Sequence, residues 1–76
     1  SEGTIRIERA VGANGTVYLT VPPNKSGVGK VTLNIQERTM EYQAVTSEQN
    51  ELPTGAKVVA VAVIGPGTVE VAPAPS

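Results

Sequence analysis

The 76-residue chain contains no cysteine, histidine, aspartate, tryptophan or phenylalanine. Without Cys and His it has no disulfides, no thiolate zinc site, no haem ligation through His and no Cys/His or Ser/His catalytic pair. Aromatics are 3% of residues, both of them Tyr, and the formal net charge is −1. Neither the stacking platforms nor the phosphate-neutralising charge of a nucleic-acid binder is present in quantity. No run approaches the roughly 20 apolar residues that span a bilayer, and no charged-then-apolar leader precedes a small-residue cleavage site. The longest apolar stretch, Val58 to Ile64, is strand-sized. A chain of this length forms one domain and buries only roughly 60% of its unfolded surface, so apolar burial and backbone pairing must stabilise it. It opens on Ser1 rather than Met and is expected to be a piece of something longer. The lack of cysteine selects no redox compartment.

What is present is valine, threonine and turn residues, and no window carries a 3.6-residue apolar period over three turns. The reading is all-β. After the turn Gly12-Ala13-Asn14-Gly15, the run Thr16 to Val21 alternates Val17, Leu19 and Val21 with Thr16, Tyr18 and Thr20. Pro22 and Pro23 end it, since neither donates to a ladder. From Gly29, Val31, Leu33 and Ile35 face one way and Lys30, Thr32 and Asn34 the other. Arg38 to Thr46 alternates again and pairs with that run by pattern. Neither Gln36 nor Glu37 suits positive φ, so a longer connection or shifted strand ends are expected between the two. Ser47 to Leu52 is polar and acidic, Pro53-Thr54-Gly55 is a turn, and Lys57 to Ile64 is apolar on both parities. Gly65-Pro66-Gly67 turns the chain into Thr68 to Val71. Five short strands suit a small barrel, because closure removes the edges that a flat sheet would expose. The expected core is Val17, Leu19, Val31, Leu33, Ile35, Val59, Val61 and Val69. Residues 1–10 read as a linker or a leading strand through Ile5 and Ile7, residues 11–72 as the barrel, and residues 73–76 as a flexible Pro/Ala tail.

Candidate chemistry is sparse. Ser26 lies near Lys25 and Lys30, but a Ser/Lys dyad needs a desolvated lysine, and these sit in a glycine-bearing loop. Glu37, Glu41, Glu48 and Glu51 match no calcium loop, and solvated surface acids are far commoner. Gly12, Gly15, Gly27 and Gly29 are followed by no helix that would cradle a phosphate, and turn geometry explains them. Met40 beside Glu41 is weakly similar to the hairpin tip of biotinyl and lipoyl carrier domains, but the acceptor lysine is missing, which leaves Met40 as core. The expectation is a non-enzyme with no cofactor and no metal.

Five segments in order resemble the C-terminal domain of the NfeD family: Val11-Gly12-Ala13-Asn14-Gly15-Thr16-Val17; Val21-Pro22-Pro23 leading to Gly29-Lys30-Val31; Tyr42-Gln43-Ala44-Val45; Leu52-Pro53-Thr54-Gly55-Ala56-Lys57-Val58-Val59-Ala60-Val61; and Val69-Glu70-Val71-Ala72-Pro73. The departure is at Gln36 and Glu37, where relatives usually place glycine. The resemblance implies a small five-stranded OB-like β-barrel, a soluble domain of a membrane protein whose transmembrane helices lie outside this chain, of a short type without a protease domain or truncated from a longer one. The cytoplasmic face is favoured. It further implies partners of the flotillin or stomatin scaffold type and a role in membrane organisation or membrane-protein quality control; the family barrel has no known catalytic residues to transfer. The alternative is an OB-fold module that binds single-stranded nucleic acid or another extended ligand. Six scattered basic residues against seven acids argue against nucleic acid.

For a protein partner, the favoured surface is Tyr18 with Pro22, Pro23, Asn24, Lys25 and Val28. This is the longest non-acidic turn, its prolines lose little further entropy on docking, and Tyr is a residue type favoured at interfaces. The blander reading is that the prolines only stop a strand and Tyr18 covers the sheet. The acidic loop Ser47 to Leu52 would only steer a basic partner.

Overall fold

The structure is a computed structural model that describes residues 6–75. Five strands follow one another: β1 (Asn14–Leu19), β2 (Gly29–Ile35), β3 (Arg38–Val45), β4 (Lys57–Gly65) and β5 (Thr68–Pro73). They close into a barrel in the order β1-β2-β3-β5-β4. All neighbours are antiparallel except β3 and β5, which run parallel through Gln43↔Thr68, Ala44↔Val69 and Val45↔Glu70. The all-β, OB-like barrel expected from the sequence is the fold observed.

Alternation places Val17 on β1, Val31, Leu33 and Ile35 on β2, Ala44 on β3, and Val69 and Val71 on β5 in one buried core. Val21 and Leu52, outside the strands, exchange two main-chain hydrogen bonds of 2.9 Å and are both buried, which pins the two long loops together. A short 3-10 turn at Ile7–Ala10 leads into β1 and buries Ala10. The leading strand considered for Ile5 and Ile7 lies partly outside the described residues, and Ile7 itself is in this turn. Gly12 N–H donates to Ala60 O and Ala60 N–H to Ala13 O, so the segment before β1 extends its pairing with β4. At the other end, β5 runs through Pro73 and Ala74 N–H still donates to Lys57 O.

Three core assignments change. Leu19 is 49% exposed because β1 slips register between Val17 and Leu19, so that Leu19 pairs with outward-facing Lys30. On β4 the pairing Gly15↔Val58 turns Val58 and Ala60 inward, leaving Val59 half-buried and Val61 46% exposed. The apolar residues on both parities of β4 left that choice open in the sequence. Register shifts at Ala60/Ala62 and Val63/Gly65 leave Val61 and Ile64 as the extra residues of bulges, which bend a strand and increase its twist as closure requires.

The β2–β3 connection also differs from expectation. Ile35 pairs directly with Arg38, so Gln36 and Glu37 form a two-residue turn with φ 52° and 67°. The strand twist demands this primed geometry, and seven continuous cross-strand pairs impose it on residues that do not favour it. Each left-handed residue other than Gly costs about 1–2 kcal/mol.

Two results test this architecture. Val58→Asp is expected to destabilise the domain by several kcal/mol, comparable to its whole stability, whereas Val61→Asp should stay within about 0.5 kcal/mol of the parent. Chemical denaturation of both variants reads this, and equal losses would refute the inward assignment. Glu37→Gly should raise stability by about 0.5–1 kcal/mol, because glycine removes the φ strain at some entropic cost in the unfolded chain.

Candidate protein-interaction surface

The loop after β1 begins with Pro22 and Pro23, both half-buried, and continues as a 3-10 turn at Pro23–Lys25. Asn24 and Lys25 both have positive φ, 57° and 55°. Such conformations cost of order 1–3 kcal/mol each and persist only where the surroundings over-determine them. Here Asn24 N–H donates to Glu48 O (2.8 Å) and Lys25 N–H to Thr46 O (2.7 Å), which ties the turn to the chain leaving β3. The Ser26 N–H and hydroxyl both donate to Pro23 O, at 2.9 and 2.6 Å. Thr46 is itself fully buried, and its Oγ1 accepts from Glu48 N–H at 3.2 Å.

One ionic cluster fixes this loop to the barrel. Lys25 Nζ lies 3.3 Å from a Glu70 carboxylate oxygen on β5, and the Ser47 hydroxyl donates to the other at 2.7 Å. The Ser47 bond chiefly holds the Glu70 carboxyl below its ordinary value; partial burial opposes it, and Lys25 adds to the lowering through its own hydrogen bond and charge.

Beside the loop, Tyr18 (55% exposed), Leu19 and Val28 (56%) are exposed apolar side chains. The backbone brings residues 27–29 back to the end of β1. Gly27 lies against the Pro22 ring, and Gly29 sits so close to the Leu19 and Thr20 carbonyls that any side chain there would collide with them. The backbone of Val28, between these two glycines, therefore passes from Pro22 to the end of β1. Of the sequence-derived set, Tyr18, Asn24, Lys25 and Val28 are exposed and Pro22 and Pro23 half-buried. Lys25 is drawn into the pair with Glu70 and is not a free cation of this surface. Leu19 joins the exposed residues although alternation had assigned it to the core; the bulge responsible leaves no trace in the residue pattern.

The chemical candidates are also placed. Ser26 Oγ is engaged by Pro23 O, Lys25 by Glu70, and Lys30 lies 3.7 Å from Glu41 across β2 and β3. Among the described residues no three Glu side chains come together as a metal-holding group. No described helix is long and apolar enough to cross a membrane. Tyr42 packs against the margin of the core while Tyr18 faces out, so the two rings do not form one platform. A shallow groove of about 380 Å³ lies along β3, lined by Lys30, Glu41, Tyr42, Gln43, Pro66 and Gly67.

The class defined by these features is a small mixed barrel of OB-like strand order that presents an apolar, proline-backed surface. No family model and no curated protein matches the chain. Solved structures do. One is the soluble domain of the NfeD protein YuaF from Bacillus subtilis, with a TM-score of 0.66, 29% identity, and coverage of 82% of this chain and 70% of that one. Another is the C-terminal domain of the stomatin operon partner protein 1510-C from Pyrococcus horikoshii, with a TM-score of 0.69, 22% identity, and coverage of 91% and 94%. The first bears out the resemblance to the C-terminal domain of the NfeD family read from the sequence, and the second shares the fold.

The Glu70 cluster makes a prediction about acid. Its carboxyl is more acidic folded than unfolded, so its contribution is complete above the ordinary glutamate range and is lost as pH falls through the folded pKa. Ser47→Ala should move the Glu70 titration up toward the ordinary value and lower stability by less than about 1 kcal/mol, with the difference vanishing in acid. Carboxyl-carbon NMR titration with denaturation at two pH values measures both; an unmoved Glu70 titration would refute the assignment to Ser47.

Proposed function

We propose that this domain is a non-catalytic protein-interaction module of an NfeD-type membrane protein and docks a scaffold of the stomatin or flotillin type. The observation that carries the reading is the exposure of Tyr18, Leu19 and Val28 beside a proline loop held in a strained conformation by Thr46, Glu48 and Glu70. An apolar surface whose backbone is already ordered loses little entropy on docking, and Tyr supplies contact area on few rotatable bonds. The name of the second similar structure links that protein to a stomatin operon, which supports a stomatin-type partner. The docking residues are Tyr18, Pro22, Pro23, Asn24, Lys25 and Val28, with Leu19 added. In this reading the module is anchored by membrane-spanning segments outside this chain, faces the cytoplasm, and serves membrane organisation or membrane-protein quality control. No observation favours the nucleic-acid alternative.

Amide-shift mapping of the labelled domain against the soluble segment of a stomatin-type scaffold tests this. Shifts are expected at Tyr18, Leu19, Val21 and Asn24–Val28, and Tyr18→Ala should weaken binding at least about tenfold, since a central aromatic anchor carries of order 2 kcal/mol or more. Shifts confined to residues remote from this surface would reject it.

A further inference from the structure

Barrel closure leaves one strand half finished. β3 pairs with β2 along its whole length, from Gly29↔Ala44 to Ile35↔Arg38. On its other side it meets β5 only from Gln43 to Val45. The Gln43 N–H points to that side, donating to Gly67 O at 2.9 Å. Main-chain groups alternate sides along a strand, so the N–H and C=O of Glu41 and Thr39 point the same way as those of Gln43. Among the described residues they meet no main-chain partner. The groove lined by Lys30, Glu41, Tyr42, Gln43, Pro66 and Gly67 opens at the Glu41–Gln43 end of this edge, beside the β4–β5 turn. The hairpin that carries the edge is tipped by the two strained residues Gln36 and Glu37.

We infer that this edge of β3 accepts an extended segment of another polypeptide, which adds a strand collinear with β5. Unpaired donors and acceptors two residues apart, about 6.8 Å along the strand, match the repeat of a polypeptide and of no other common ligand. The side chains on the barrel side of the edge, Met40 and Tyr42, are half-buried and packed against the core margin, so apolar residues at alternate positions of the segment extend that packing. The carboxylates facing solvent, Glu37 and Glu41, favour Lys or Arg at the intervening positions. The Lys30–Glu41 pair is solvent-exposed at 3.7 Å and yields to a competing cation at little cost. The same two carboxylates and the single ring disfavour an oligonucleotide. A second copy is disfavoured because the register that sets Glu41 against its own copy opposes two like charges. The site is separate from Tyr18 and the proline loop and does not depend on which scaffold docks there.

The probe is a capped octapeptide that alternates valine with lysine and threonine, titrated to about 1 mM into the labelled domain, a range in which weak strand addition is measurable. The expected result is slowed hydrogen exchange at the Thr39 and Glu41 amides, saturating with peptide. N-methylation of one alternate set of peptide residues should abolish this and of the other set should leave it, because only one set faces β3. Glu41→Pro removes an outward N–H without touching the β2 ladder, and it should weaken binding at least about tenfold while the β4–β5 resonances stay in place. If that variant does not fold, the two methylated peptides still decide. Unslowed exchange at both amides, equal tolerance of both methylations, the same protection from a short oligothymidylate, or protection that rises with protein concentration alone would each overturn the inference. A scaffold segment bound at Tyr18 and Val28 leaves Thr39 and Glu41 exchanging freely, so this site and the docking surface fail separately.

Discussion

The parallel contact between β3 and β5 is the constraint on which the rest of the barrel depends. It consists of three residue pairs, and its centre joins two fully buried side chains, Ala44 and Val69. A parallel neighbour cannot be reached by a tight turn. The chain instead leaves β3 through the 46–56 loop, crosses as β4 and returns as β5, and that detour has to be anchored. The anchors are the Val21–Leu52 bridge, buried Thr46 and the bonds from Asn24 and Lys25 to the loop. Setting Val45 beside Glu70 also brings the Glu70 carboxylate within reach of Ser47 and Lys25. The ordering of the proline loop is thus a consequence of how the barrel closes.

Closure by such short strands also requires local bending, and bulges supply it at Tyr18, Val61 and Ile64. Each bulge takes an apolar residue out of phase with the core, which is why Leu19, Val61 and Ile64 stand at the surface in a domain with few large side chains to spare. Near β1 the displaced Leu19 is exposed at the start of the ordered proline loop. Along β3 the same economy leaves Thr39 and Glu41 paired with β2 on one side and, among the described residues, with no strand on the other. Both features arise from the geometry of a small closed sheet.

Much of this was legible in the residues. Strict alternation over Val31, Leu33 and Ile35 identifies a half-buried strand wherever it is placed, prolines and glycines mark the ends of elements, and the absence of Cys, His and Asp removes whole classes of chemistry. Tyr18 and the proline loop could be singled out because outward parity and fixed φ are local properties. The turn at Gln36–Glu37 could not be assigned, because its residues disfavour the conformation that the flanking ladder enforces.

The sequence by itself determined the all-β class, the order of strands and turns, and a core of small branched side chains, since each follows from the period-2 geometry of the backbone and from residue-level conformational limits. Only the tertiary structure decided which parity of β4 faces inward, that Leu19 leaves the core, that Lys25 pairs with Glu70, and that β5 covers β3 only from Gln43 to Val45. Those outcomes depend on register and closure, which pair residues far apart in the chain and which no local pattern encodes.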